Sequence, residues 1–275
     1  MQTSIIQNSN KPQFKTESDK LQELERKLER LFHEELSSSN SIFLKVSDRV
    51  VHLAALFLSG CTSRPCAIGI AGETASGKST IALDIINTIQ EYADKNNLKD
   101  VITRINTDDY YYDRSDMVKA AGSFAEFAKH YDLDVPEALE LELMKEHIKE
   151  LLKGNDVMLP EYDMSGTAKR TDNVKLATPA NIIISEGLFT LTPKIIDAFD
   201  VKIYVHVSHD IQKERFYRRA EERGLGSSSD EVYENALSKA KIHIRPTIND
   251  ADIVLSGESD RTAYRVFLNK LLQLL

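Results

Sequence analysis

The apolar positions change their period at about residue 64. Upstream, Leu21, Leu24, Leu28, Leu31 and Phe32 recur at three- and four-residue spacing, with Glu, Arg and Lys between them. That pattern predicts a helix over 17–36, with Ser18 as a candidate cap. Residues 1–16 are polar and carry no such stripe, the composition of a frayed or disordered tail. Ser37–Ser41 interrupts the first stripe, and Val46, Val50, Leu53, Ala54 and Phe57 form a second one. The expectation is a second helix over 41–58 and so a helical hairpin ahead of the main domain. Its apolar face either packs on that domain or engages a partner; the leucine seam is too short for a coiled coil.

From Arg64 onward, short apolar runs alternate with helical stretches. The strands are expected at Ala67–Ala71, Val101–Ile105, Asn181–Ser185, Lys202–Val207 and Ile253–Leu255. Helices fill 78–96, 136–153, 209–223, 229–243 and 260–274. Strands apolar on both faces belong in a parallel sheet covered by helices on each side, an α/β fold. The Gly/Ser stretch Gly224 to Ser229 reads as a mobile loop between two helices. These patterns divide the chain into a tail and helical extension, 1–64, and a main domain, 65–275.

Composition narrows the function. The 275 residues carry a formal charge of -8, and 41% of them are hydrophobic. An acidic balance speaks against a general nucleic-acid or anionic-membrane binder, because phosphate surfaces reward excess Lys and Arg. Two cysteines, Cys61 and Cys66, supply neither a disulfide framework nor a four-ligand zinc site, and read as reduced thiols. The longest apolar run, Leu53 to Leu58, falls far short of the roughly 20 residues that span a bilayer. The expectation is a soluble cytoplasmic protein.

The strongest chemical signal is Gly72-Glu73-Thr74-Ala75-Ser76-Gly77-Lys78-Ser79-Thr80. It fits the phosphate-loop pattern G-x-x-x-x-G-K-[ST], with an apolar strand before it and a helical stretch after it. Gly72 and Gly77 let the backbone curl so that successive N–H groups face phosphate oxygens. The helix N-terminus adds partial positive charge. Lys78 reaches the β- and γ-phosphates, and the Ser79 hydroxyl suits Mg²⁺. The fold class is therefore a P-loop NTPase-type parallel sheet.

Ligands of open parallel sheets bind beyond the carboxyl ends of the strands. There the sequence places Asp108 and Asp109, then Glu186, then a helix bearing Arg215, Arg218, Arg219 and Arg223. Phosphoryl transfer needs these residue types: oxygen ligands for Mg²⁺, a carboxylate to take a hydroxyl proton, and cations for the moving phosphoryl. A solvated loop and a solvated helix face are the bland alternatives.

Taken in order, these segments resemble the uridine kinase and phosphoribulokinase family of P-loop kinases, most nearly the uridine–cytidine kinases. The likeness runs from about Cys66 to Leu255. Its further motifs are Tyr131-Asp132-Leu133-Asp134-Val135-Pro136-Glu137-Ala138, Leu159-Pro160-Glu161-Tyr162-Asp163 and Ile184-Ser185-Glu186-Gly187. The resemblance implies ATP- and Mg²⁺-dependent phosphorylation of a small-molecule hydroxyl, typically a ribose 5′-OH. It makes Asp108 the general base, acting with Lys78 and Arg218. Tyr111 lines the acceptor pocket, Asp134 binds ribose hydroxyls and Tyr162 stacks near the base. Glu186 acts with Ser79 around Mg²⁺. Arg215, Arg218 and Arg223 hold phosphates, and Arg223 also borders the acceptor. A homo-oligomer is also suggested.

The sequence departs from the family pattern at three positions, and its segment between Gly224 and Pro246 is shorter than the family pattern. Thr167 stands where a base-contacting His is expected, Arg218-Arg219 replaces an Arg-Asp pair, and Leu225 replaces a lid arginine. Thr can hydrogen-bond but is shorter and never cationic, so pyrimidine recognition is the part least supported. Two alternatives stay open: a kinase of a non-nucleoside alcohol or sugar phosphate, phosphoribulokinase- or pantothenate kinase-like, and a non-catalytic nucleotide-binding regulatory module.

Overall fold

A computed structural model describes residues 16–59, 64–222, 224 and 226–274. The polar tail 1–15, Cys61, Arg223 and Leu225 lie outside the described residues. The chain opens with α1 (Glu17–Leu36), β1 (Phe43–Val46) and α2 (Asp48–Leu58). Strand β2 (Cys66–Ala71), α3 (Lys78–Lys95) and β3 (Ile102–Asn106) follow. Next come the short helices α4 (Ser115–Ala121) and α5 (Phe124–Ala128), then α6 (Leu141–Leu152) and the strands β4 (Val157–Asp163) and β5 (Lys169–Ala177). The last third holds β6 (Ile182–Glu186), β7 (Val201–His206), α7 (His209–Glu222), α8 (Ser229–His243), β8 (Ile253–Ser256) and α9 (Arg261–Leu272).

Six strands form one sheet in the order β1-β8-β7-β2-β6-β3. All neighbours run parallel except β1, which pairs antiparallel with β8, Phe43 opposite Leu255 and Val46 opposite Ile253. Alternate side chains feed two cores. Ile70, Ile184, Ile203, Val205, Ile253 and Leu255 meet residues of α1, α2, α3 and α9 on one face. Ala67, Ala71, Ile105, Ile183, Tyr204 and Val254 meet α6 and the loops around it on the other. The doubly covered parallel sheet is the fold class that the apolar strands imply. Among the described residues, no helix is long and apolar enough to cross a membrane.

Three expectations are corrected. The cap of α1 is Thr16, not Ser18: Thr16 Oγ1 accepts the Asp19 N–H at 3.1 Å, and Asp19 accepts the Thr16 N–H at 2.9 Å in return. The second helix is a strand followed by a helix. Phe43-Leu44-Lys45-Val46 lends itself to either period, and the exposed edge of β8 supplies backbone partners that a helix would forgo. The helix expected over 136–153 is a 3₁₀ turn at Pro136–Ala138, and only from Leu141 an α-helix. The pattern also passed over the β4–β5 hairpin, whose outer positions Met158, Val174 and Leu176 are exposed and so break the polar-out rule.

Candidate active site

Strand β2 delivers the phosphate loop to the N-terminus of α3. Ala75 and Gly77 take positive φ, 59° and 92°. Gly77 is the cap of α3 and makes no side-chain bond to its first turn, which leaves those amides for an anion. Lys78 is partly buried. Burial pulls its pKa below the usual lysine range, while Asp108 and Glu186 push it up and Arg219 pulls it down. The ammonium therefore lies within electrostatic reach of both carboxylates. A cleft of about 550 Å³ opens over Gly77, Lys78, Ser79 and Thr80, walled by Arg215, Arg218 and Arg219 of α7.

The loop residues divide by role. The Glu73 side chain is held by Arg245 at 2.8 and 3.1 Å and by Gln212 at 3.3 Å, which leaves its backbone as the part available to a phosphate. The Thr74 carbonyl accepts from Gln212 at 3.0 Å. Ser76 Oγ is buried, with no hydrogen-bond partner among the described residues. Arg215 braces the loop: its Nη1 donates to the carbonyl of Gly257 at 2.9 Å and weakly to that of Ser76 at 3.5 Å. Arg218 is exposed, with Glu214 3.8 Å from its guanidinium.

Two carboxylate-bearing turns face this loop. At the end of β6, buried Glu186 accepts from the Ser79 hydroxyl at 2.8 Å on one oxygen and from Arg104 at 2.9 Å on the other. After β3, the 3₁₀ turn Thr107–Tyr110 carries Asp108. Thr107 anchors that turn by donating to the Glu186 carbonyl at 2.8 Å, and buried Tyr110 anchors it through His147 at 2.9 Å. Asp109 accepts weakly from the Tyr162 N–H at 3.4 Å.

The acceptor candidates gather beside Asp108. The Tyr111 and Tyr162 rings are 5.3 Å apart at 40°. Burial pushes the Tyr111 hydroxyl well above its usual pKa, and the charges of Asp108, Asp134 and Asp132 add to the effect. Burial likewise raises the Asp134 carboxyl, with Asp132 adding and Lys239 opposing. Asp108, Tyr111, Asp134 and Tyr162 thus share one electrostatic neighbourhood next to Lys78.

This arrangement has known counterparts. Residues 67–262 match the model of the Phosphoribulokinase / Uridine kinase family. The chain belongs to that family. A uridine kinase of Clostridium novyi (strain NT) is 34% identical over 219 residues, covering 77% of this chain and 97% of the relative. A uridine kinase of Halobacterium salinarum is 32% identical, covering 74% and 85%. In fold, the chain is similar to phosphoribulokinase from Rhodobacter spheroides, with a TM-score of 0.52, 16% identity and 71% of each chain covered. It is also similar to D-glycerate 3-kinase from Cryptococcus neoformans, with a TM-score of 0.51, 13% identity and coverage of 87% and 96%. The chain is a P-loop kinase, a phosphotransferase that acts on a small hydroxyl compound.

Within this kinase, Thr167 stands apart from the acceptor cluster. Its side chain is exposed and its hydroxyl donates to Asp163 at 2.6 Å inside the β4–β5 turn. Other site residues left no motif. Gly257, Ser259, Arg261 and Tyr264 complete the nucleotide cleft from the turn after β8 and the start of α9. Arg261 is itself held by buried Asp84 of α3 at 2.6 and 2.8 Å. Arg104 did leave a signal: a lone cation in the apolar run Ile102-Thr103-Arg104-Ile105, which asks for a buried partner.

Proposed function

We propose that this kinase transfers the γ-phosphoryl group of ATP, with Mg²⁺, to the 5′-hydroxyl of a uridine- or cytidine-like nucleoside. The observation that carries the reading is the cleft over Lys78 and Ser79, walled by Arg215, Arg218 and Arg219, with Ser79 bonded to Glu186 at 2.8 Å. The two curated relatives above carry the name uridine kinase, which supports a nucleoside as the acceptor.

The residues fit both partners of the reaction. The phosphate loop offers uncapped helix amides, Lys78 and the arginines of α7 to a triphosphate. Ser79 and Glu186 present hard oxygen donors 2.8 Å apart, the donor type that Mg²⁺ takes alongside water and phosphate oxygens. When bound, Mg²⁺ supplies neutralisation of charge on the phosphates. Asp108 takes the proton of the acceptor hydroxyl as its oxygen bonds to the γ-phosphorus and the bond to the ADP oxygen breaks. Lys78 and Arg218 balance the charge that spreads over the moving group. Tyr111, Asp134 and Tyr162 hold the acceptor so that its hydroxyl faces Asp108.

The bond from Thr167 to Asp163 favours a second reading in the same class, a kinase of a non-nucleoside alcohol or sugar phosphate. An ADP-release assay with ATP, Mg²⁺ and a panel of nucleosides, sugar phosphates and simple alcohols separates the two. Acceptor-dependent ADP formation with uridine or cytidine is expected. Turnover confined to the other compounds moves the assignment to the second reading. ADP formation that no acceptor stimulates overturns the proposal and favours a nucleotide-binding regulator.

A further inference from the structure

Helix α8 touches both halves of the site. Near its start, Tyr233 packs against Phe216 of α7 with ring centroids 4.9 Å apart, in an apolar cluster that includes Ala75 of the phosphate loop. Tyr217 of α7 donates to Asp230 of α8 at 2.6 Å. Just past its end, Arg245 pairs with Glu73 of the same loop. Between these anchors, Lys239 pairs with Asp132 of the loop before Pro136.

That Asp132 carboxylate does two things at once. One oxygen meets Lys239, and the other accepts the Asp134 N–H at 2.9 Å. A single side chain therefore joins α8 to the backbone of Asp134. Both partners are about two-thirds shielded, Lys239 at 28% and Asp132 at 30% exposure. Screening by solvent is correspondingly weaker than for a pair on the open surface.

We propose that Lys239 is a positioning residue for the acceptor. Through Asp132 it fixes the loop that carries Asp134, and because α8 also braces the phosphate loop, it couples acceptor binding to nucleotide binding. The proposal rests on the assignment of Asp134 to the acceptor. Small displacements of a positioning group are costly, since reacting atoms must be held within a narrow range of distance and angle. Coupling is reciprocal: whatever factor the nucleotide adds to acceptor affinity, the acceptor adds to nucleotide affinity.

The test uses the full chain and the variants Lys239→Met, Lys239→Arg, Asp132→Asn and the Lys239→Met/Asp132→Asn pair. Lys239→Met is expected to raise the acceptor KM about tenfold, within the usual range of such couplings, with kcat less affected. Lys239→Arg recovers most of the loss, and the double variant loses no more than Lys239→Met alone. An unchanged KM in Lys239→Met, or losses that multiply in the double variant, overturns the proposal. Hydrogen exchange supplies a readout that needs no acceptor. Amides of 131–138 should exchange faster in Lys239→Met than in the parent and slow again in Lys239→Arg, and unchanged exchange in Lys239→Met overturns the proposal. If none of the panel compounds is an acceptor, the nucleoside assignment fails in the parent protein, while the exchange comparison still decides the role of Lys239.

Discussion

The Ser79 hydroxyl donates to Glu186 across 2.8 Å, joining the first turn of α3 to the end of β6. Arg104 holds the second Glu186 oxygen at 2.9 Å, so the carboxylate is oriented from both sides. Glu186→Gln keeps the shape and removes the charge. The Mg²⁺ concentration that gives half-maximal rate should rise by about tenfold or more, the scale of outer-ligand losses at metal sites. Titration of Mg²⁺ at saturating ATP checks this, and an unchanged requirement would place the ion elsewhere.

Asp134 predicts opposite effects on stability and on activity. Its carboxyl is raised by burial, so in the native state it prefers to be protonated more than it does in the unfolded chain. Stability therefore declines as pH rises from the unfolded carboxylate pKa through the raised native one. Asp134→Asn carries no such titration. Its Tm should exceed that of the parent at pH 7, and the gap should shrink as pH falls toward 4. Its acceptor KM should rise. Thermal unfolding across that pH range, together with acceptor kinetics, tests both halves.

Gly257 has a packing role at the nucleotide cleft. A Cβ there would lie 2.2 Å from the Ser76 carbonyl oxygen and 3.1 Å from that of His206. Gly257→Ala must push the turn after β8 away from the phosphate loop, a strain of about 1–3 kcal/mol. It also disturbs the carbonyl that Arg215 grips. Lower Tm and weaker binding of a non-hydrolysable ATP analogue are expected by calorimetry, and parent-like values for both would show that the turn yields freely.

We propose that α1, β1 and α2 unfold together with the rest of the described chain. Phe32 of α1, Phe43 of β1 and Phe267 of α9 form a cluster with centroids 4.7 to 5.4 Å apart. Phe43→Ala should cost about 3–5 kcal/mol in denaturant unfolding, with a single transition. Two separate transitions would mark the α1–β1–α2 segment as an independent unit.

The parallel sheet was legible because each strand is apolar on both faces, and the phosphate loop because its chemistry is local in sequence. The placement of Glu186 and Asp108 was legible for a related reason: they lie at or just past the carboxyl ends of apolar strands, where the fold gathers its ligands. Strand β1 was not legible, because a four-residue segment takes its conformation from the β8 edge and not from its own period. The side chain of Glu73 is held by Arg245 and that of Thr167 by Asp163, pairings that no motif spacing records. Gly257, Tyr264 and Lys239 stayed hidden because their roles come from long-range approach, and nothing around them in sequence is unusual.

The most direct test of the central claim is Asp108→Asn. The amide keeps the side chain's size and cannot take a proton from the acceptor. Acceptor-dependent ADP formation should fall by about 10²–10⁴-fold, the contribution of a positioned general base. Binding of a non-hydrolysable ATP analogue, followed by calorimetry on the same sample, should stay within about twofold of the parent, since the phosphate loop is intact. Loss of turnover with nucleotide binding preserved is the result this account predicts. Turnover within twofold of the parent would contradict it and remove Asp108 from the chemistry.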